Sequence, residues 1–317
     1  MRFVVRKLAY LIPVLFAVTV LTFGLLKLLP GDPAINILGP SATKDAVAQI
    51  HKQLGLDKPI PTQYATWLGH ALTGNLGRSY QNHQTTVSAL HQRLPVTLEL
   101  LLISQLIALI VSVPMAMYAA YRPNGWFDRI STSLAFGFLS VPDFILGVVL
   151  VLLFAVKFHW FPATGYTALT HNPFQNLRSM VLPAVTLAAG EIAAFMRVLR
   201  TDMVTTLQED FITMARSKGM SNRHILFRHA LRPSSLSLVT VAGLNLGRLI
   251  GGTFIVELIF ALPGIGDLTI RSVYNRDYLV VQGVVLVIAV GYVLANALVD
   301  VLYTVIDPRI RHVGAAV

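Results

Sequence analysis

The sequence predicts an all-α integral membrane protein, and three observations carry that expectation. Of the 317 residues, 55% are hydrophobic and 13% charged, with a mean hydropathy of +0.65. So few charges cannot cover a soluble domain of this size. Six apolar runs recur along the chain, each near the ~20 residues that a helix needs to cross a bilayer. The formal charge of +10 comes from basic residues spread through short connections without interleaved aromatics, which argues against a nucleic-acid surface. Cysteine is absent, which excludes disulfides, thiol chemistry and cysteine-ligated zinc.

Arg2, Arg6 and Lys7 precede the first apolar run, Leu8 to Leu29. It is too long for a signal peptide and ends in Lys27-Leu28-Leu29-Pro30-Gly31-Asp32 without a small-residue cleavage site. Residues 30–94 form the one long polar excursion. Within it, Asp45 to Leu54 and Gln63 to Leu72 read as amphipathic helices, the second through Tyr64, Trp67, Leu68 and Leu72. The turns Asp57-Lys58-Pro59-Ile60-Pro61 and Gly74-Asn75-Leu76-Gly77 connect them. The excursion is either a packed lid or a substrate-contacting cap.

Helix two is expected from Pro95 to Tyr121 with a kink at Pro114, and helix three from Ile130 to Val156, interrupted at Pro142. A second outer loop, Lys157 to Ser179, offers His159, Trp160, Phe161 and Tyr166 as interfacial aromatics. Helix four runs from Met180 to about Met196, helix five from Ser234 to about Val256 and helix six from Leu279 to about Val305. Arg2, Arg6, Lys7, Arg122, Arg129, the 201–233 stretch, Arg309 and Arg311 all fall on one side. The positive-inside rule then makes both termini and that stretch cytoplasmic. Three parts follow: residues 1–29 with helix one, the outer cap 30–94, and the helical core 95–317.

The stretch from Thr201 to Arg232 resembles neither apolar neighbour. Arg216, Lys218, Arg223, Arg228 and Arg232 face Asp202, Glu209 and Asp210 in the count, so it does not cross a bilayer. Phe211, Met214 and Ala215 share one face of a short helix, and Ile225, Leu226 and Ala230 suggest a similar face on a second. Gly219 is placed to end the first helix in a left-handed conformation, Ser221 to cap the second and Pro233 to limit it. On composition alone this knuckle is either a surface-lying helix pair or a coupling element. The chain contains no G-x-x-x-x-G-K-[ST] loop, so any ATPase is another polypeptide, and Gly264-Ile265-Gly266 reads as a turn rather than a nucleotide site.

Glu209-Asp210-Phe211-Ile212-Thr213-Met214-Ala215-Arg216-Ser217-Lys218-Gly219-Met220, followed by His229-Ala230-Leu231-Arg232-Pro233, resembles the EAA loop of ABC importer permeases, and more narrowly the dipeptide, oligopeptide and nickel permeases. Leu28-Leu29-Pro30-Gly31-Asp32-Pro33, Leu54-Gly55-Leu56-Asp57, Phe161-Pro162-Ala163-Thr164-Gly165-Tyr166, Glu257 to Gly266 and Asp307-Pro308-Arg309 fit the same pattern. Thr213 and Met214 depart from the broader consensus, which often has Glu and Ala there. The long first outer loop resembles that of the first permease subunit, the DppB or OppB type.

The resemblance implies a type I importer permease of six transmembrane helices in the bacterial inner membrane, a transport subunit and not an enzyme. Asp210, Phe211, Met214, Ala215, Arg216, Lys218, Gly219 and Met220 would contact a cytoplasmic ABC ATPase. It implies no cofactor in this chain, with ATP and Mg held by the ATPases. Its other partners would be a second permease of the DppC or OppC type, an extracytoplasmic binding protein, membrane lipid and a peptide substrate. Haem or a nickel chelate is an alternative cargo within the same architecture.

Helix five carries Gly243, Gly247 and Gly251 four apart, a close-packing face for a partner permease or an adjacent helix. Asp143, Glu191, Asn245 and Arg248 are the intramembrane polar groups. At 1.5 Å per residue along straight helices, Asp143 and Arg248 sit at similar depth, about 20 Å in. Either they pair as a structural bridge, or both line a wet cavity and meet the amino and carboxylate ends of a passing peptide. An ion-coupled secondary transporter, with Asp143 and Glu191 carrying protons, is the rival class, but it predicts inverted repeats that the sequence does not contain.

Overall fold

A computed structural model describes residues 2–28, 32–39 and 42–306. Among them the regular structure is helical, with one isolated bridge between Arg78 and Thr85. Leu29-Pro30-Gly31, Asp307-Pro308-Arg309 and Arg311 fall outside the described residues, as do the side chains of Arg2, Arg6 and Lys7. The chain divides into two units, residues 1–97 with 263–291 and residues 98–262 with 292–317.

In the first unit, α1 (Arg2–Leu28) is the first apolar run and α14 (Tyr278–Ile306) begins the last. The polar excursion holds α2 (Pro33–Leu38), α3 (Lys44–Leu54) and α4 (Ile60–Leu72). Asp32 caps α2 by accepting from the Ala34 N–H, and its carboxylate also meets His51 Nε2 at 2.8 Å, tying α2 to α3. Gly55 ends α3 at φ +64°, as a glycine beyond a helix end does without a Cβ penalty. Tyr64 and Trp67 of α4 cluster with Phe23 of α1, at ring-centroid distances of 5.5 and 6.0 Å. Leu72, expected on the same face, is instead 80% exposed, while Ala71 beside it packs on this unit's apolar core.

Leu76, Ala89, Leu90, Ile265, Leu268, Val280 and Val284 form this unit's core. Gly264 is the N-cap of α13 (Ile265–Tyr274), so Gly264-Ile265-Gly266 opens a helix. Arg93 and Arg271 both hold the buried Asp267, at 2.7 and 2.6 Å. Ser79 donates to Asp277 at 2.5 Å, and the Tyr80 phenol is pushed up to about 12 by burial and by the Asp277 charge.

The second unit is built on α8 (Pro173–Thr206), which runs well beyond both expected ends of helix four. Phe195, Met196, Leu199 and Met203 on α8 pack with alanines of α5 (Thr86–Tyr121) and with Leu238 of α11 (Leu231–Gly252). α5 begins nine residues before Pro95 and continues through Pro95 and Pro114 as one helix. Helix three is broken as expected: α6 (Trp126–Ser140) and α7 (Asp143–Leu150, continued by a π-helical stretch Val151–Lys157) meet at 102° around Pro142. That bend removes the straight helix on which the depth of Asp143 was reckoned. α12 (Phe254–Ile259) packs on α7 and α8.

Among the described residues, three helices are long and apolar enough to cross a membrane (Thr86–Tyr121, Pro173–Thr206 and Tyr278–Val299); the bent α6–α7 pair, a broken span or a re-entrant loop, adds a fourth if it crosses as one span. A shorter apolar stretch, Pro13–Leu25, lies in α1.

Arg200 explains why α8 does not stop at its charges. Its guanidinium forks onto the Asp128 carboxylate at 2.5 and 2.6 Å, and Asp128 is 3% exposed. Removing one partner of a buried ion pair strands the other. Arg200→Ala is therefore expected to destabilise the unit by about 3 kcal/mol, read as a lowered thermal midpoint in detergent. Adding Asp128→Asn should recover part of the loss.

Candidate functional site

The knuckle is assembled by backbone chemistry legible in its residues. After α8 the chain turns through Leu207 and Gln208, and α9 (Asp210–Ser217) begins with Asp210 in its first turn, where a carboxylate is favoured by the helix dipole. At the other end Gly219 adopts φ +77°. Its N–H reaches the Arg216 carbonyl at 2.9 Å and that of Met220 reaches Ala215 at 3.2 Å, the paired bonds of a Schellman stop. Ser221 Oγ then accepts from the His224 N–H at 3.4 Å and opens α10 (Asn222–His224).

Pro233 does not end this second helix. A π-helical turn, Ile225–Ala230, runs straight into α11, so the segment is helical from Asn222 to Gly252. Pro233 falls in the first α-turn after the irregularity, where its missing N–H breaks little. At the knuckle's base the hydroxyls of Thr206 and Ser234 meet at 2.9 Å, and Asn222 donates to the Tyr121 hydroxyl at 2.9 Å.

The apolar residues separate into two sets. Ile212, Ala215 and Ile225 are buried together under Leu207 and hold the two arms against each other. Phe211 and Met214, expected on the face of Ala215, point away from it and are 45% and 59% exposed. Arg216, Lys218 and Met220 are also exposed. Ile212 is the residue that sequence reading missed: it makes the same three-residue step to Ala215 as Phe211 makes to Met214, and periodicity alone does not choose between them.

Four polar groups meet further along the unit. Glu191 on α8 is 1% exposed, and neither carboxyl oxygen has a hydrogen-bond partner among the described residues. Asp143 starts α7 at the bend, exposed, with Oδ1 3.5 Å from where a side chain on Gly190 would begin. Arg248 is exposed on α11, within electrostatic reach of both carboxyls, but no ion pair joins it to either among the described residues. Asn245, one turn earlier, has its Nδ2 unpartnered.

Residues 112–312 match the family described as binding-protein-dependent transport system inner membrane component, and residues 1–101 match its N-terminal counterpart. The chain belongs to this family. Among its relatives, a peptide transport system permease protein of Brucella abortus (strain 2308) is 42% identical over 309 residues, 98% of each chain. The oligopeptide transport system permease protein AppB of Bacillus subtilis (strain 168) is 36% identical over 98% of this chain and 99% of its own. The glutathione transport system permease protein GsiC of Escherichia coli O6:H1 is also 36% identical, with the same coverage. A solved structure of the MetNI methionine ABC transporter in inward-facing conformations aligns with a TM-score of 0.56 at 18% identity, covering 69% of this chain and 96% of that one. That likeness gives the fold, a type I importer permease.

In this transport component the glycine face of α11 is filled from within. A side chain on Gly243 would begin 1.8 Å from Val299 Cγ2, and one on Gly247 would begin 2.6 Å from the Tyr292 ring, both on α14. At these two positions α14 is the helix that neighbours α11. Gly251 lies in the same helix, outside the residues whose side-chain surroundings are described.

Proposed function

We propose that the chain is one of two permease subunits of an ATP-driven importer of peptides, coupled through its knuckle to a cytoplasmic ATPase. The observation that carries this reading is the knuckle's construction. A buried Ile212–Ala215–Ile225 contact holds it together, while Phe211 and Met214 stand exposed at its surface, outside that cluster. Exposed apolar side chains on a rigid helix are what a groove on a partner protein recognises. Peptide cargo rests on the names of the relatives, and haem or a nickel chelate would use the same architecture.

In this reading the chain makes six spans, with residues 30–94 as an outer cap, residues 95–317 as the core and both termini in the cytoplasm. The ATPases hold ATP and Mg. A second permease of the DppC or OppC type completes the pathway, an extracytoplasmic binding protein delivers substrate, and Asp143, Glu191, Asn245 and Arg248 line the route. Transport proceeds by alternating access.

Detergent extraction of the chain from its native membrane, with identification of what remains bound, tests the assignment. Recovery of a second permease and an ATPase bearing a phosphate-binding loop is expected. Recovery of the chain alone, with uptake driven by a proton gradient and indifferent to ATP, would overturn it in favour of an ion-coupled carrier.

A further inference from the structure

The polar cluster of the second unit sorts into two chemically opposite sets. On α7 and α8 stand acceptors: the exposed Asp143 carboxyl and the Glu191 carboxyl behind it, both of whose oxygens are orphaned and buried. On α11 stand donors: the unpartnered Nδ2 of Asn245 and the exposed guanidinium of Arg248. A buried carboxyl without a partner costs a few kcal/mol, and opposite charges in an apolar surrounding gain by closing on each other. Here the Glu191 carboxyl stays without a partner and no ion pair joins Arg248 to Asp143 or Glu191 among the described residues. Gly190 lies beside this cluster, where a side chain would begin 3.5 Å from Asp143 Oδ1, an ordinary contact distance.

A ligand that completes both sets must bring several N–H donors to the acceptors and an oxygen acceptor to the donors. The N-terminal residue of a peptide has both within a few bonds: an α-ammonium with three donors, and the first peptide carbonyl. We propose that the cluster binds the free N-terminus of the passing peptide, with the ammonium on Asp143 backed by Glu191, and the first carbonyl on Asn245 and Arg248. This rests on the peptide-importer reading above. It deepens that reading by making the permease a second checkpoint for a free amine, independent of peptide length, because only the first residue is read.

The test uses the full complex in proteoliposomes, with its ATPases, second permease and binding protein, and compares uptake of a free tripeptide with its N-acetylated form. Using one binding protein throughout cancels that protein's own selectivity between wild type and variant. Asp143→Asn should lower the free-to-acetylated uptake ratio by about tenfold or more, the scale of one lost charge-assisted hydrogen bond. Glu191→Gln should lower it in the same direction, and carries the test if Asp143→Asn does not assemble. Amidation of the peptide's C-terminus should leave the effect of both variants unchanged. A wild-type complex that moves peptide with a ratio altered by neither variant overturns this inference alone. A wild-type complex that moves no peptide overturns the importer reading, and this inference falls with it.

Discussion

Replacing Phe211 and Met214 together with aspartate is expected to reduce substrate-stimulated ATP hydrolysis by the assembled complex at least about tenfold, with the chain still inserted and extractable as a folded protein. Phe211 and Met214 are 45% and 59% exposed on the isolated chain and outside the buried Ile212–Ala215–Ile225 cluster, so the substitutions leave that cluster intact. They place like charges where an apolar groove would receive rings and thioethers, and truncating anchors of this kind costs about 2 kcal/mol or more of binding. Ala215→Glu reads differently. Ala215 is 4% exposed against Ile212 and Ile225, so a glutamate there breaks the knuckle from inside and loses coupling for a structural reason. Gly219→Ala meets no neighbouring atom but is held at a left-handed φ, which costs about 1 kcal/mol and should leave partial activity. Full stimulation by the double aspartate variant would show that the docking surface lies elsewhere.

Gly243→Leu should destabilise the helical core severely, by about 3 kcal/mol or more, seen as a collapse of the detergent thermal midpoint and of monodisperse yield. Even the first carbon of a new side chain would overlap Val299, whose branched side chain has little rotamer freedom to yield. Gly243→Ala is the graded version. Combined with Val299→Ala, it should recover most of the loss, with a coupling energy of about 1 kcal/mol or more between the two positions. A Gly243→Leu protein with wild-type stability would mean that α11 and α14 do not touch there.

The turn chemistry was legible because it is local: Gly219, Ser221 and the break at Pro142 each act within one or two turns of themselves. The apolar runs that became α1 and α14 were legible for the same reason, since most residues in each window are apolar. Reading failed where a distant residue decides. Nothing near Arg200 announces that Asp128, 72 residues earlier, neutralises it, so α8 read as ending early. Pro233 read as a stop because the π turn that accommodates it has no clear sequence signature. Phe211 and Ile212 both had helical spacing to an apolar partner, and only the opposing arm with Ile225 decides which one is buried. In the polar cluster the residue identities were legible, but the depth of Asp143 depends on the 102° bend at Pro142, whose angle no sequence window contains.

If the knuckle is pushed, the unbroken helix from Asn222 to Gly252 would act as a lever. Its fulcrum is Gly243, where Val299 sits close enough to forbid a side chain. At 1.5 Å per residue the arm toward the knuckle is about 32 Å and the arm beyond the fulcrum about 14 Å. A push at the knuckle would reach the far end with less than half its travel and correspondingly more force. Arg248 and Asn245 lie on the short arm within one or two turns of the pivot, where travel is smallest. Gripping a ligand there would demand little motion, and a small tilt of a long handle would be enough to release it.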